Sequence, residues 1–229
     1  MFAIKLLHTL RDALQPLNMS EEFALPSIAV VGAQSSGKSS MLDSIIQYDC
    51  LPKGHKLKTS CPLRIVCYQK DVEPYIQFSH KENYYTDFEQ VKAEIERRTD
   101  ELTGTADNIV NTEIVMSIYA PDLANLTLVD LPGLIEYTDE KQPKELPKQV
   151  DELVKGYVAD KNCLILAVQP ANVHIANSKA LALAKQYDPD EERTMWVLTK
   201  VDLMDAGTDA NNLLRNQERI LNYGYIAIK

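Results

Sequence analysis

Ser27-Ile-Ala-Val-Val-Gly-Ala-Gln-Ser-Ser-Gly-Lys-Ser39 is the stretch that decides the fold. Its apolar start, Ser27 to Val31, reads as a strand buried on both faces and is far too short to cross a bilayer. A glycine-bounded loop follows, and a helix is predicted from about Lys38 to Gln47. Gly32-Ala-Gln-Ser-Ser-Gly37-Lys38-Ser39 fits the pattern GxxxxGK[ST] in the context the pattern requires, after a strand and opening a helix. In such a loop the backbone N–H groups, those of Gly32, Ser36, Gly37 and the first helical residues through Ser40 among them, cradle phosphate oxygens. Lys38 neutralises β/γ-phosphate charge, and the Ser39 hydroxyl ligates Mg²⁺.

Outward from that unit, further strands are expected at Leu63–Tyr68, Tyr75–Phe78, Glu113–Tyr119, Leu126–Asp130, Cys163–Val168, Thr194–Thr199 and Tyr225–Ile228. Helical patterns fall between them at Asp87–Leu102, Leu146–Val158, Asn177–Gln186 and Asp209–Leu221. Continuous apolar strands alternating with helices predict an α/β fold of three layers, a mostly parallel sheet covered on both faces. Ligands of such sheets sit at the carboxyl ends of the strands. Leu7, Leu10, Leu14 and Leu17 recur at helical spacing, so residues 2–17 are expected to form an amphipathic helix that packs against partner helices. Its polar face lacks the basic enrichment of a membrane-surface helix.

The composition sets bounds on function. Across 229 residues, 45% hydrophobic and 25% charged is ordinary for one soluble domain with a substantial core. A net charge of −9 argues against nucleic acid, or an anionic membrane, docking on this domain directly. The N-terminus is neither a secretory signal nor a spanning helix, because Lys5, Arg11 and Asp12 interrupt it. Cys50, Cys61, Cys67 and Cys163 show no CxxC pair and no zinc rhythm, which points to a reduced, cytoplasmic protein with incidental thiols. Asn125-Leu-Thr127 matches a glycosylation sequon, but it lies inside an apolar strand with no signal peptide before it and is discounted.

Two more strand ends carry chemistry. Asp130-Leu-Pro-Gly133 places a carboxylate where it can hold the Mg²⁺ shell and a glycine where backbone can approach a γ-phosphate. Thr199-Lys200-Val-Asp202 places a carboxylate that can accept from guanine N1–H and its exocyclic amine, while the Lys200 stem lies along the purine. Each is weak alone; in this order they form a strong signal for GTP over ATP. Small switch GTPases carry Gln directly after the DxxG glycine to orient water. Here that position is Leu134, so Gln34 and Ser35 are the polar candidates for that task. Thr59, the best switch threonine, stands 71 positions before Asp130, so the domain is enlarged relative to a small GTPase.

Blocks spread from about Pro26 to the last residue resemble the GTPase domain of the dynamin family of large, membrane-remodelling GTPases. They are the phosphate loop with Gln-Ser inside it, Leu51-Pro-Lys-Gly54 leading to Thr59, Asp130-Leu-Pro-Gly133-Leu, Asn162-Cys-Leu-Ile-Leu-Ala-Val168, Ala176-Asn-Ser178, Thr199-Lys-Val-Asp-Leu-Met-Asp205 and Gly207-Thr-Asp209-Ala. The resemblance implies that Gln34 positions the attacking water and that Ser35 holds a monovalent cation, Na⁺ or K⁺. It implies Thr59 on metal and water, the Gly133 backbone on a bridging water, and Ser39, Thr59 and Asp130 (through water) around Mg²⁺. Lys200, Asp202 and Asp205 would recognise the base, with Gly54 and Thr199 in the segments that touch nucleotide. It also implies a homodimer across the nucleotide face, which couples GTP hydrolysis to GDP to membrane fission by a higher polymer, with membrane recruitment through segments absent from this chain.

Three departures qualify those expectations. Lys56 stands where dynamins place a second glycine beside the cation, so it either faces solvent or supplies positive charge itself. Lys179 follows Ala176-Asn-Ser178 where dynamins typically place an acid that reaches across the dimer. The chain stops at Lys229, ahead of the fifth nucleotide loop, which leads to the expectation of an incomplete GTPase domain over residues 26–229, with weak nucleotide affinity and exposed apolar surface on the helix of residues 1–25. Two rivals to membrane fission remain: a guanine-nucleotide-binding scaffold with little turnover, and a fusion-promoting or antiviral large GTPase.

Overall fold

Strand β1 (Ser27–Gly32) runs through the middle of a nine-stranded sheet, between β6 (Leu126–Asp130) and β7 (Cys163–Pro170), parallel to both. A computed structural model describes residues 26–53, 60–104, 108–135, 142–204, 210–215, 217 and 221–228. The helix expected over residues 2–17, together with Gly54, Lys56, Thr59 and Asp205, lies outside the described residues.

Beyond β7 the sheet continues in parallel through β8 (Thr194–Thr199) to β9 (Tyr225–Ala227). On the other side β6 pairs antiparallel with β2 (Leu63–Gln69), which runs parallel to β5 (Ile114–Ala120). Strands β3 (Tyr75–Phe78) and β4 (Tyr84–Tyr85) complete that wing as antiparallel additions. The register sets the site: Val30 lies beside Asp130, Gly32 beside Val168, and Pro170 beside Thr199. The carboxyl ends of β1, β6, β7 and β8 therefore finish along one edge.

Helices pack on both faces, which explains why the central strands are apolar at nearly every position. Val30, Leu128, Leu166 and Val197 point to one face and pack with Met41, Leu42 and Ile46 of α1 (Lys38–Ile46) and Val91 and Ile95 of α2 (Phe88–Thr103). Their neighbours Ala29, Val31, Val129, Ile165, Ala167 and Trp196 point to the other face. There they meet Val150, Val154 and Val158 of α3 (Leu146–Val158) and Ala180, Leu183 and Ala184 of α4 (Lys179–Tyr187). This is the three-layer, mostly parallel α/β architecture expected from the alternation.

Three elements differ from the expectations. Tyr84–Tyr85 forms a short edge strand that the pattern did not disclose. The helix expected over Asp209–Leu221 is, among the described residues, one turn, α5 (Asn211–Leu214), and Gln217 and Leu221 lie outside any helix. Asn211, Asn212 and Asn216 weaken the periodic pattern, because short amide side chains compete for the backbone. The expected start at Asn177 also shifts: Ile175–Asn177 is a 3-10 turn, and α4 begins after Ser178, whose hydroxyl caps it by accepting from Leu181 N–H at 3.2 Å. All four cysteines are buried with no disulfide, and burial pushes their thiols up, that of Cys67 to about 12. They fit the expected incidental thiols. No described helix is long and apolar enough to cross a membrane.

Candidate active site

The loop after β1 turns on left-handed backbone at Ser35 (φ 60°) and Gly37 (φ 93°), which brings the start of α1 under the loop. The N-terminus of α1 has no side-chain cap, whereas α2 is capped by Asp87 and α4 by Ser178. The first N–H groups of α1 thus keep their donors for an anion. Lys38 lies beneath the loop, 8% exposed, and donates to the carbonyls of Gly32 at 3.4 Å and Ala33 at 3.2 Å. Burial lowers its pKa, and the Asp130 carboxylate partly offsets that shift. It is a cation short of counter-charge, as a phosphate site requires.

Ser39 Oγ donates to Asp130 Oδ2 at 3.3 Å, joining the phosphate-loop helix to the end of β6. A hydroxyl and a carboxylate at that separation are hard oxygen donors of the kind Mg²⁺ selects, so the residues present fit the ion. Gly133 lies against the loop. A Cβ there would stand 2.7 Å from Gln34 Cα, 2.8 Å from Gln34 N and 3.1 Å from Lys38 Nζ, so only glycine permits the approach. The same segment is stitched on by a parallel bridge, with Leu134 N–H donating to Gly32 O at 2.9 Å and Gln34 N–H to Leu134 O at 3.2 Å. Leu134 itself is buried in the core with α3 and α4.

The third strand end is fastened to the same loop. Thr199 Oγ1 donates to Ser36 O at 2.6 Å, and Lys200 Nζ to Ser35 O at 2.8 Å. Lys200 adopts left-handed backbone (φ 55°) and leads into the 3-10 turn Val201–Leu203, on which Asp202 is exposed to solvent. Gln34, Ser35 and Ser40 are exposed on the loop and helix, Ser39 half-buried, and Ser36 buried.

The structure thus gathers Gly32, Gln34, Ser35, Ser36, Gly37, Lys38, Ser39, Asp130, Gly133, Thr199 and Lys200 around one loop. Asp202 is exposed two residues beyond Lys200, on the turn that Lys200 opens. Thr199 here braces the loop rather than facing outward. The sequence reading missed Asp43. This buried α1 residue accepts from the N–H groups of Cys50 and Leu51, both at 3.1 Å, and pairs with Lys53 at 2.7 Å. It pins the chain just before the segment that carries Gly54 and Thr59. An acid on the apolar face of a helix was the available signal.

Comparison with known proteins places the sequence in a family. A model of the dynamin family matches residues 28–201. The chain is 44% identical to Dynamin-1 of Rattus norvegicus over 226 residues, which cover 98% of this chain and 26% of that protein. It is 43% identical to Dynamin-3 of Homo sapiens and to Dynamin-2 of Bos taurus, with the same coverage. The chain spans about a quarter of the length of these curated relatives. With a phosphate loop to which an Asp-x-x-Gly segment and a Thr-Lys-x-Asp turn are fastened, and the family matched over residues 28–201, the chain belongs to the dynamin family, and its motifs are those of that family's GTPase domain.

Proposed function

We propose that this domain binds GTP with Lys38, Ser39, Asp130 and Asp202 and hydrolyses it by a dimer-completed mechanism that serves membrane remodelling. What carries the reading is that the ends of β6 and β8 are tied by side-chain bonds to the loop and helix start that follow β1, through Ser39–Asp130, Thr199–Ser36 and Lys200–Ser35. A triphosphate oxygen would replace the Gly32 and Ala33 carbonyls on the Lys38 ammonium and provide the counter-charge it lacks. Ser39 and Asp130 would hold Mg²⁺, which offsets phosphate charge. Gln34, exposed beside Gly133, would orient the water. Gly133 would offer its N–H to the γ-phosphate region, and Ser35 would hold a monovalent cation or leave that charge to Lys56. Thr59, Gly54 and Asp205 would complete the metal and base contacts. Positioning and fixed positive charge in a crevice shielded from water supply the rate gain.

A homodimer across the nucleotide face would shield the crevice further, since Gln34 and Asp202 both face solvent. Polymerisation and membrane contact would use parts of a longer protein, and the N-terminal segment, residues 1–25, would pack on helices from those parts. Leu134 favours a second reading, a nucleotide-binding scaffold with little turnover, because a buried leucine cannot orient water. Steady-state GTP turnover by the full-length protein, with and without lipid vesicles and with K⁺ or choline as the cation, separates the readings. Turnover that rises with lipid and loses about a hundredfold in Gln34→Ala at unchanged KM supports hydrolysis. No turnover under any of these conditions supports the scaffold.

A further inference from the structure

Lys179 is the first residue of α4, a position where a cation opposes the helix dipole and an acid is favoured. Its ammonium is not left in solvent. It donates to the backbone carbonyl of Ile135, 44 positions earlier in the chain. Ile135 directly follows Leu134, whose two backbone bonds bridge to Gly32 and Gln34. Lys179 and Gln34 also line one cavity of about 210 Å³ between the phosphate loop and the start of α4, together with Gln169 and Ser178. A continuous path therefore leads from the Lys179 ammonium through Ile135 and Leu134 to the backbone of Gln34, and Gly133 adjoins it.

We propose that Lys179 is a positioning residue for hydrolysis, a tether that holds the segment after Gly133 against the phosphate loop within its own subunit. This rests on the assignment of Gln34 and Gly133 to the attacking water and the γ-phosphate. Lys179 itself touches neither. The tether acts where placement matters most: a shift of the Gly133–Ile135 segment carries the Gly133 backbone with it and disturbs the Gln34 N–H, which donates to Leu134 O in the bridge beside Gly133. Binding of the base and of the α- and β-phosphates uses other contacts and is left intact. The signature is thus a change in kcat rather than KM.

The test combines kinetics with amide exchange in Lys179→Met, Lys179→Arg and, as a control on the same helix, Lys185→Met. In Lys179→Met, kcat for GTP should fall about tenfold with KM within about twofold. The Gln34 and Leu134 amides should exchange about tenfold faster in the nucleotide-free protein. Arginine, which also donates to a carbonyl, should restore both, and Lys185→Met should change neither. Unchanged exchange in Lys179→Met overturns the tether, as does a kcat loss that arginine does not rescue. If the wild-type domain fails to hydrolyse GTP while exchange still responds, the assignment of Gln34 falls and the catalytic role of Lys179 falls with it.

Discussion

Lys38 shows how a single residue can be fitted for ligand rather than for stability. Its ammonium is buried on two carbonyls, and burial outweighs the attraction of Asp130, so the charged form is strained until phosphate arrives. Lys38→Met should abolish nucleotide binding and yet stabilise the nucleotide-free domain by roughly 1 kcal/mol, because an under-compensated buried charge is removed. Thermal unfolding with and without GTP measures both halves; a destabilised variant would refute the second. Gly133 makes the converse case. A methyl there meets Gln34 backbone at 2.7 and 2.8 Å, which cannot yield as a flexible side chain would. Gly133→Ala should keep nucleotide affinity within about threefold while kcat drops about a hundredfold; normal turnover would show that the segment moves freely. At this scale the phosphate-loop residues were legible because their chemistry demands fixed spacing. Asp43 and the Lys179 contact were not, because they depend on which distant backbone groups the fold brings near.

At the scale of elements, strands were read almost to their ends, since two-sided burial writes itself as unbroken apolar runs at β1, β6, β7 and β8. Helix ends slipped where a polar cap, such as Ser178, overrode the apolar period. One joint carries more than its sequence suggests. The Arg193 guanidinium donates to Val158 O at 2.7 Å, Tyr187 O at 2.8 Å, Cys163 O at 2.8 Å and Asp160 O at 3.2 Å, closing the carboxyl ends of both α3 and α4. Arg193→Ala should cost about 2 kcal/mol in chemical denaturation, and lysine should recover only part of it, because the planar fork is what spans four carbonyls. Full recovery by lysine would reduce the joint to a charge effect. A second joint links β3 to α2. Arg97, then His80 and Lys81, hold the buried Glu94 carboxyl from its usual 4.5 down to about 2, against the opposing effect of burial. A depressed acid contributes stability above its unfolded pKa, so this share is complete at neutral pH and declines between about 4.5 and about 2. In Glu94→Gln, acid unfolding should lose steepness across that window; an unaltered curve would show that the network contributes nothing there.

Over the whole molecule, one sheet unites a parallel half whose carboxyl ends meet the phosphate loop with a mixed wing that enlarges the domain, which accounts for the long interval between Thr59 and Asp130. The face of the parallel half on the α1 side is only partly covered. Leu164, Met195 and Ile226 are 45%, 37% and 44% exposed, and a groove of about 310 Å³ runs between Ile28, Leu128 and Met195. The apolar exposure expected on the first helix falls outside the described residues. Leu164→Ser with Met195→Ser should weaken binding of an apolar dye to the domain while GTP turnover stays unchanged; undiminished dye binding would place the exposed surface elsewhere. The arrangement of Lys38, Asp130 and Asp202 remains the premise of the whole reading, and calorimetric titration of the protein with GTP and with ATP in the presence of Mg²⁺ tests it most directly. GTP should bind roughly a hundredfold or more tighter, since adenine leaves the Asp202 carboxylate without its donors. ATP binding as tight as GTP, or GTP binding indifferent to Mg²⁺, would contradict it.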